Sequence, residues 1–178
     1  MKIDKIKKSI IFLKSIYLFL INIMYSYIQI IDRDFTEKLR NYLFETILLE
    51  ETGDKVTSGS RLIGSFHISE FPEISNNIEK FFPNVKICTL VRIYRQEYGS
   101  IKRHNDTSSF NNANTTCIIY LNDNYDGGNL HLELSSDRII KIIPKTGYAV
   151  FFSKNFYHYA IEVYTPKELL ILDLNIHE

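Results

Sequence analysis

The second half of this chain is a dense series of short segments with strong β propensity. Seven runs rich in β-branched and aromatic residues follow Pro83, and Asn, Asp, Gly, Ser or Pro separate them. Closely spaced short strands of this kind predict a double-sheet β roll. The predicted strands are Val85–Tyr94, Thr115–Leu121, Asn129–Leu134, Arg138–Ile142, Tyr148–Phe152, Tyr157–Val163 and Glu168–Ile176.

The first half has a different pattern. Residues 25–31 alternate and predict one more strand, and Glu50–Ser60 is a polar loop. Apolar residues at helical spacing predict an amphipathic helix of roughly 15 residues with an acidic start, and a second, short helix that ends at Pro83. The two apolar stripes are Phe35, Leu39, Leu43 and Ile47, and Ile74, Ile78 and Phe81.

A chain of 178 residues is the size of one domain. Seven or eight strands after two helices predict a mostly β fold with flanking helices, in which the helices buttress one sheet of a double-sheet roll. The expected core is of the jelly-roll or cupin-like type, the double-stranded β-helix.

Charge and cysteine content further restrict the class of protein to which the chain can belong. The chain has 21 basic and 21 acidic side chains, so it lacks the basic surplus with which proteins neutralise nucleic-acid phosphates. Its two cysteines are too few for a disulfide framework. Both Cys88 and Cys117 lie among apolar residues, which predicts two buried thiols.

Residues 1–23 differ from the rest and form a basic, apolar extension, so the predicted domain spans residues 24–178. The extension holds five Lys and one Asp, which leaves the domain with 16 basic and 20 acidic side chains. A basic start before an apolar run is typical of a signal anchor, and this makes membrane association through residues 1–23 one interpretation. The run contains Lys14 and lacks a small-residue cleavage site, so a helix packed on the domain, with a cytoplasmic location, is preferred.

The tripeptide His104-Asn105-Asp106 is the clearest chemical signal. In extended backbone, residues two apart project from the same side, so His104 and Asp106 can bind one metal ion while Asn105 points away. Two imidazoles and one carboxylate form the facial site of non-haem Fe(II) oxygenases. His158 is the best third ligand among the other histidines, because it lies between two apolar strands, whereas His67, His131 and His177 have no such placement.

Lys167 begins the last predicted strand, nine residues after His158. A buried cation near an iron site needs an anionic partner, and the distal carboxylate of 2-oxoglutarate would supply one. Tyr94 and Tyr120 flank the metal tripeptide on neighbouring strands, where a phenol can donate a hydrogen bond to a carboxylate. The alternative is a solvated Lys and two core tyrosines.

Residues 87–176 resemble the prolyl 4-hydroxylase branch of the Fe(II)- and 2-oxoglutarate-dependent dioxygenases. The resemblance follows, in order, the Tyr94…Gly99…His104-x-Asp106 strand, a YLN…GG.L segment and a P..G.a..F strand before the distal histidine. It implies that His104, Asp106 and His158 bind iron, and that Lys167, Tyr94 and Tyr120 hold 2-oxoglutarate. The segments are Thr116–Asn122, Asp126–Leu130 and Ile143–Phe152.

The same resemblance implies use of O2, with ascorbate as a further cofactor, and release of succinate and CO2. The expected substrate is a peptide or protein side chain, with proline as the first choice. A nucleic-acid dealkylase of the same superfamily and a non-catalytic binding roll are the alternatives. The dealkylase usually has an Arg pair in the last strand, and Leu169–Asn175 has none. Glu50–Ser60 and Ser108–Asn114 are candidate substrate-facing loops, or else ordinary surface turns.

Overall fold

The computed structural model describes residues 25–107 and 113–176. The extension 1–23, His177 and most of the Ser108–Asn114 loop lie outside these ranges. None of the helices in the described ranges is long and apolar enough to cross a membrane.

Thirteen antiparallel strands form two sheets in this part of the chain. The larger sheet has the strand order β1-β11-β8-β13-β6-β4-β2, with β5 paired to β13, and the smaller has the order β10-β9-β12-β7-β3. The strands are β1 Tyr25–Gln29, β2 Glu50–Glu51, β3 Thr57–Ser58, β4 Arg61–His67, β5 Lys86–Ile87, β6 Leu90–Gln96, β7 Gly99–His104, β8 Thr115–Tyr120, β9 Leu130–Ser135, β10 Arg138–Ile142, β11 Tyr148–Ser153, β12 Tyr157–Val163 and β13 Lys167–Asn175.

Two α-helices precede most of the strands, as the apolar stripes predict. Helix α1 spans Arg33–Thr46, and the Asp32 side chain caps it by accepting a hydrogen bond from the Phe35 amide. Helix α2 spans Pro72–Phe81 and has proline in its first turn, where no intrahelical amide hydrogen bond is lost. A 3₁₀ turn at Ile68–Glu70 comes directly before α2.

The larger sheet separates two apolar cores, because side chains alternate between its faces. One face packs on the helices and includes Ile93, Ile119 and Leu170. The other face points to the smaller sheet and includes Tyr94, Tyr120 and Leu169. This arrangement confirms the predicted mostly β roll with helices against one sheet, and the second face forms the wall of the functional cavity described below.

Strand β4 is not among the strands predicted from the sequence. This strand contains Gly64, which weakens a strand signal, but a Cβ there would lie 2.6 Å from Ile47 Cγ2 at the C-terminal end of α1. The glycine therefore permits the close approach of helix and sheet. Two short strands, β2 and β3, also lie inside Glu50–Ser60, which was predicted to be a loop.

The cysteine prediction is correct for one residue and wrong for the other. Cys117 is fully buried on β8, whereas Cys88 is only half-buried, in the gap between β5 and β6. The predicted strand Val85–Tyr94 is interrupted there, and the interruption brings Cys88 toward the surface.

Candidate active site

A cavity of about 510 Å³ lies between the two sheets. Its floor is the inner face of the larger sheet, where strand register places polar residues in rows across neighbouring strands. Arg61 lies opposite Gln96, and Gln96 lies opposite Lys167. Toward the other end of these strands, Asp173 lies opposite Thr116. The cavity therefore has two polar ends with apolar residues between them.

The structure brings together the three residues predicted to bind metal. His104 and His158 are directly opposite each other on β7 and β12. Asp106 Oδ1 lies 3.7 Å from His104 Nε2, and Asp106 Oδ2 lies 3.8 Å from His158 Nε2. The three candidate ligand atoms all lie within 4.8 Å of one another, a spacing that can hold one metal ion.

Both imidazoles are oriented by backbone carbonyls. His104 Nδ1 lies 2.8 Å from the Lys102 oxygen, and His158 Nδ1 lies 3.3 Å from the Phe156 oxygen. A carbonyl only accepts hydrogen bonds, so Nδ1 donates in each ring and Nε2 keeps its lone pair for a metal. Burial lowers the pKa of His158 to about 4, even though Asp106 opposes the shift, and this ring stays neutral at physiological pH.

Asp106 is held by contacts to β8 and to the turn that follows β11. β7 ends at His104 and the chain bends at Asp106, and Asn105 between them also lines the cavity. The Asp106 amide donates to the Lys154 carbonyl at 3.1 Å, and the Thr116 hydroxyl donates to Asp106 Oδ2 at 2.7 Å. The carboxylate is therefore aimed before any ligand binds.

A buried ionic cluster supports this end of the cavity. Lys154 Nζ lies 2.6 Å from Asp173 Oδ1, and Arg92 Nη2 donates to Asp173 Oδ2 at 2.9 Å. Lys154 also supplies the carbonyl that accepts from Asp106. Because Asp173 lies opposite Thr116, the cluster supports both residues that hold Asp106, Lys154 at its amide and Thr116 at its carboxylate.

Lys167 forms the other polar end. Its side chain is 3% exposed, and Nζ donates to the Gly128 carbonyl at 2.6 Å. No carboxylate of the described residues forms an ion pair with it. Burial, with a smaller contribution from Arg61, lowers the pKa of Lys167 to about 7.

Tyr120 and Tyr94, the two tyrosines predicted to hold 2-oxoglutarate, both line the cavity. The Tyr120 hydroxyl is buried and has no hydrogen-bond partner within residues 25–107 and 113–176. Tyr125, which the sequence pattern does not indicate, also has a buried hydroxyl without a partner in those ranges. Its ring centroid lies 5.9 Å from Lys167 Nζ. Burial raises the pKa of both Tyr120 and Tyr125, so both phenols remain protonated donors.

Arg61 also lines the cavity, although the sequence pattern does not indicate it, and Asp54 lines the cavity from within the predicted substrate-facing loop Glu50–Ser60. The Arg61 Cζ atom lies 3.8 Å from the centroid of the Tyr94 ring. The only sequence signal for Arg61 is that an apolar residue, Ile63, follows it two positions later. This pattern is informative only if residues 61–67 are already recognised as a strand. Two other histidines that the structure describes do not join the site, because His67 caps the 3₁₀ turn and His131 stacks on Tyr159.

The donor set fits iron and 2-oxoglutarate. Two imidazoles and a carboxylate on one side leave positions open for oxygen ligands. The unpaired Lys167 ammonium and the orphaned Tyr120 hydroxyl suit a carboxylate at the opposite end.

Comparison with known proteins agrees with this chemistry. The sequence profile of the 2OG-Fe(II) oxygenase superfamily matches residues 89–177, which is half of the chain. The chain therefore belongs to the 2OG-Fe(II) oxygenase superfamily, and Fe(II), 2-oxoglutarate and O2 are the cofactor and cosubstrates of its class. No curated protein matches the sequence.

Solved structures share the fold at low identity. An oxidoreductase of the 2OG-Fe(II) oxygenase family from Burkholderia pseudomallei has a TM-score of 0.72 and 14% identity, over 89% of this chain and 88% of its own. A prolyl hydroxylase from Trichoplax adhaerens, in complex with a hypoxia inducible factor peptide fragment, has a TM-score of 0.66 and 15% identity, over 85% and 83%. The α-ketoglutarate-dependent epimerase SnoN of nogalamycin biosynthesis has a TM-score of 0.63 and 13% identity, over 84% and 76%.

Proposed function

We propose that residues 24–178 form an Fe(II)- and 2-oxoglutarate-dependent dioxygenase domain that hydroxylates a peptidyl side chain, with proline as the first candidate. The observation that carries the proposal is the joint presence, in one cavity, of the His104–Asp106–His158 cluster and the unpaired Lys167 ammonium. A binding module has no physical need for either feature.

At the metal end, His104 and His158 would bind Fe(II) through Nε2, and Asp106 through one carboxylate oxygen. The carbonyls of Lys102 and Phe156 keep both rings in the required tautomer. The Thr116 hydroxyl keeps one Asp106 oxygen engaged and so directs the other toward the metal.

At the other end, Lys167 would form an ion pair with the distal carboxylate of 2-oxoglutarate. The Tyr120 hydroxyl would donate to the same carboxylate, and Tyr94 would line the path between the two ends. A carboxylate here gives the buried Lys167 charge a partner of opposite sign and gives the Tyr120 hydroxyl an acceptor, so both buried groups favour its binding.

When bound, iron with 2-oxoglutarate supplies the oxidising power to hydroxylate an unactivated C–H bond, with release of succinate and CO2. The residues of the chain orient the ligands and exclude water. Ile118, Leu130 and Leu169 line the cavity between its polar ends and keep solvent from the reacting centre.

A peptide substrate is supported by the shared fold with a prolyl hydroxylase that binds a peptide fragment. Asp54 and Val56, from the predicted substrate-facing segment Glu50–Ser60, line the cavity and offer contacts to a substrate there. The shared fold with an epimerase makes a small-molecule substrate the outcome to test against, because a fold alone does not select a substrate.

Anaerobic titration with Fe(II) and 2-oxoglutarate tests the enzyme assignment. We expect the weak visible charge-transfer band of the chelate in the wild type and its loss in His104→Ala. The matched control His67→Ala changes a histidine outside the cavity and keeps the band. Absence of the band in the wild type, or its persistence in His104→Ala, contradicts the assignment.

Succinate release then tests the substrate. Proline-rich peptides are expected to stimulate succinate formation and to gain one oxygen atom by mass spectrometry, whereas methylated oligonucleotides are not. Stimulation by oligonucleotides alone would favour the dealkylase, and stimulation by small molecules alone would remove the peptide proposal.

A further inference from the structure

A second buried cation faces the cavity, and the roles proposed above do not use it. Arg61 begins β4 at the edge of the cavity floor, and its side chain is 10% exposed. Its guanidinium is stacked on the Tyr94 ring. No acceptor among the residues that the structure describes receives a hydrogen bond from this guanidinium, although it carries several N–H donors.

The nearest carboxylate accepts no hydrogen bond from the Arg61 guanidinium. Asp54 Oδ2 lies 3.6 Å from Arg61 Nη1, beyond hydrogen-bond distance. That carboxylate already accepts from the amides of Val56 and Thr57 and from the Thr52 hydroxyl. Although burial alone would raise the pKa of Asp54, these hydrogen bonds lower it, so Asp54 is ionised. Its negative charge stabilises the Arg61 cation electrostatically.

An arginine in this state is a site for an anion. A buried charge without hydrogen bonds is costly, and the planar guanidinium matches a carboxylate with two parallel hydrogen bonds. Asp54 and the Tyr94 ring hold the guanidinium from two sides, which leaves its remaining donors for a ligand in the cavity.

The 2-oxoglutarate tail is a poor match for this site. Arg61 and Lys167 lie on strands separated by β6, which places their backbones about 10 Å apart. Lys167 also turns away from Arg61, since its ammonium reaches Gly128 and lies near Tyr120 on β8, the strand on the opposite side of β13. A carboxylate held by Lys167 therefore leaves the Arg61 guanidinium without a hydrogen-bond acceptor among the described residues.

We propose that Arg61 binds a carboxylate of the primary substrate, so that the enzyme acts on an acidic molecule. The carboxylate belongs either to a free amino acid or to an acidic residue close to the hydroxylated side chain of a peptide. This inference rests on the proposed oxygenase function and adds a determinant of its substrate class.

Matched ligand pairs test the proposal by equilibrium binding. The full chain is loaded with Mn(II), which binds without turnover, and with 2-oxoglutarate, and is titrated by calorimetry. One arm compares proline with prolinamide and lysine with lysinamide. The other compares acetylated Gly-Pro-Glu and Gly-Lys-Glu amides with their Gln counterparts. The arm that shows a carboxylate preference identifies the source of the carboxylate.

In the wild type, we expect the carboxylate member of at least one pair to bind about 10- to 100-fold more tightly than its amide, the range for a charged hydrogen-bonded pair. In Arg61→Gln the preference should fall to about twofold or less. Arg61→Lys retains the charge without the paired N–H donors of the guanidinium and should keep an intermediate preference. This variant controls for a loss of preference in Arg61→Gln that comes from misfolding alone. Arg33→Gln removes an exposed arginine and should behave as the wild type.

The affinity for 2-oxoglutarate is measured first in every variant. Failure of the wild type to bind 2-oxoglutarate contradicts the proposed function itself. Normal 2-oxoglutarate binding without a carboxylate preference in any pair, or with a preference that survives in Arg61→Gln, overturns only the role of Arg61. A tenfold loss of 2-oxoglutarate affinity in Arg61→Gln with the preference intact also overturns it, because Arg61 would then serve the cosubstrate.

Discussion

The two ends of the cavity differ in whether their polar atoms have partners before a ligand binds. At the metal end, polar atoms already have partners, since backbone carbonyls hold both imidazoles and Thr116 holds Asp106. At the other end, the Lys167 ammonium has one carbonyl partner and the Tyr120 hydroxyl has none within the described ranges. The metal end is thus oriented in advance, whereas the Lys167 end is stabilised by the ligand that it binds.

Loss of a metal ligand should have the largest effect. His158→Ala removes one of three ligands and is expected to weaken Mn(II) binding more than about 100-fold, above the 10- to 100-fold range for outer partners. His131→Ala removes a histidine of the same sheet that stacks on Tyr159 and should change the affinity little. Similar losses in both variants, measured by metal titration, would place the metal elsewhere.

Lys167→Met should affect only the opposite end. The change removes the sole buried charge proposed for the 2-oxoglutarate tail, and we expect the Kd for 2-oxoglutarate to rise about 100-fold while Mn(II) affinity stays the same. Lys141→Met, on the exposed face of β10, is the matched control. A parallel loss of Mn(II) and 2-oxoglutarate affinity would show that the two ends of the cavity are not independent.

The pH dependence of 2-oxoglutarate binding sharpens the same contrast. Burial, and to a lesser extent Arg61, lowers the pKa of Lys167 to about 7 from its ordinary 10.5. A bound carboxylate requires the ammonium, so binding above pH 7 must take up a proton, and the affinity must fall as the pH rises. We expect about a tenfold rise in Kd between pH 7 and pH 8.5.

Lys167→Arg provides the control for this titration, because arginine keeps its proton throughout that range. Its 2-oxoglutarate affinity should stay level with pH, even if the absolute value is lower. A level profile in the wild type would show that Lys167 is charged in the free cavity and that burial does not control this end.

The same contrast explains how much could be predicted from the sequence. His104 and Asp106 are two residues apart, so a local pattern is enough to select them, and the apolar strands around His158 supply the third member. Lys167 begins a strongly apolar strand, which makes its burial predictable. The sequence on either side of these residues is therefore enough to predict where they lie in the fold.

Arg61 and Tyr125 have no such local context. Arg61 becomes buried only because β4 pairs with β6 at Gln96, and a strand containing Gly64 is not evident from propensity. Tyr125 lies between β8 and β9, and its position beside Lys167 depends on the path of that connection. Long-range register decides both placements, and the periodicity of single segments does not encode it.

The smallest expected effect concerns the orientation of Asp106. Thr116→Val keeps the shape of the side chain but removes the hydroxyl that donates to Asp106 Oδ2 at 2.7 Å. The metal affinity should fall about tenfold, at the lower end of the range for partners of metal ligands. Thr115→Val, the next residue on β8, loses a hydroxyl that donates to Asn114 instead and should leave the affinity unchanged. Equal affinities in the two variants would mean that the Lys154 carbonyl and the chain bend alone orient Asp106, and that its partner on β8 is dispensable.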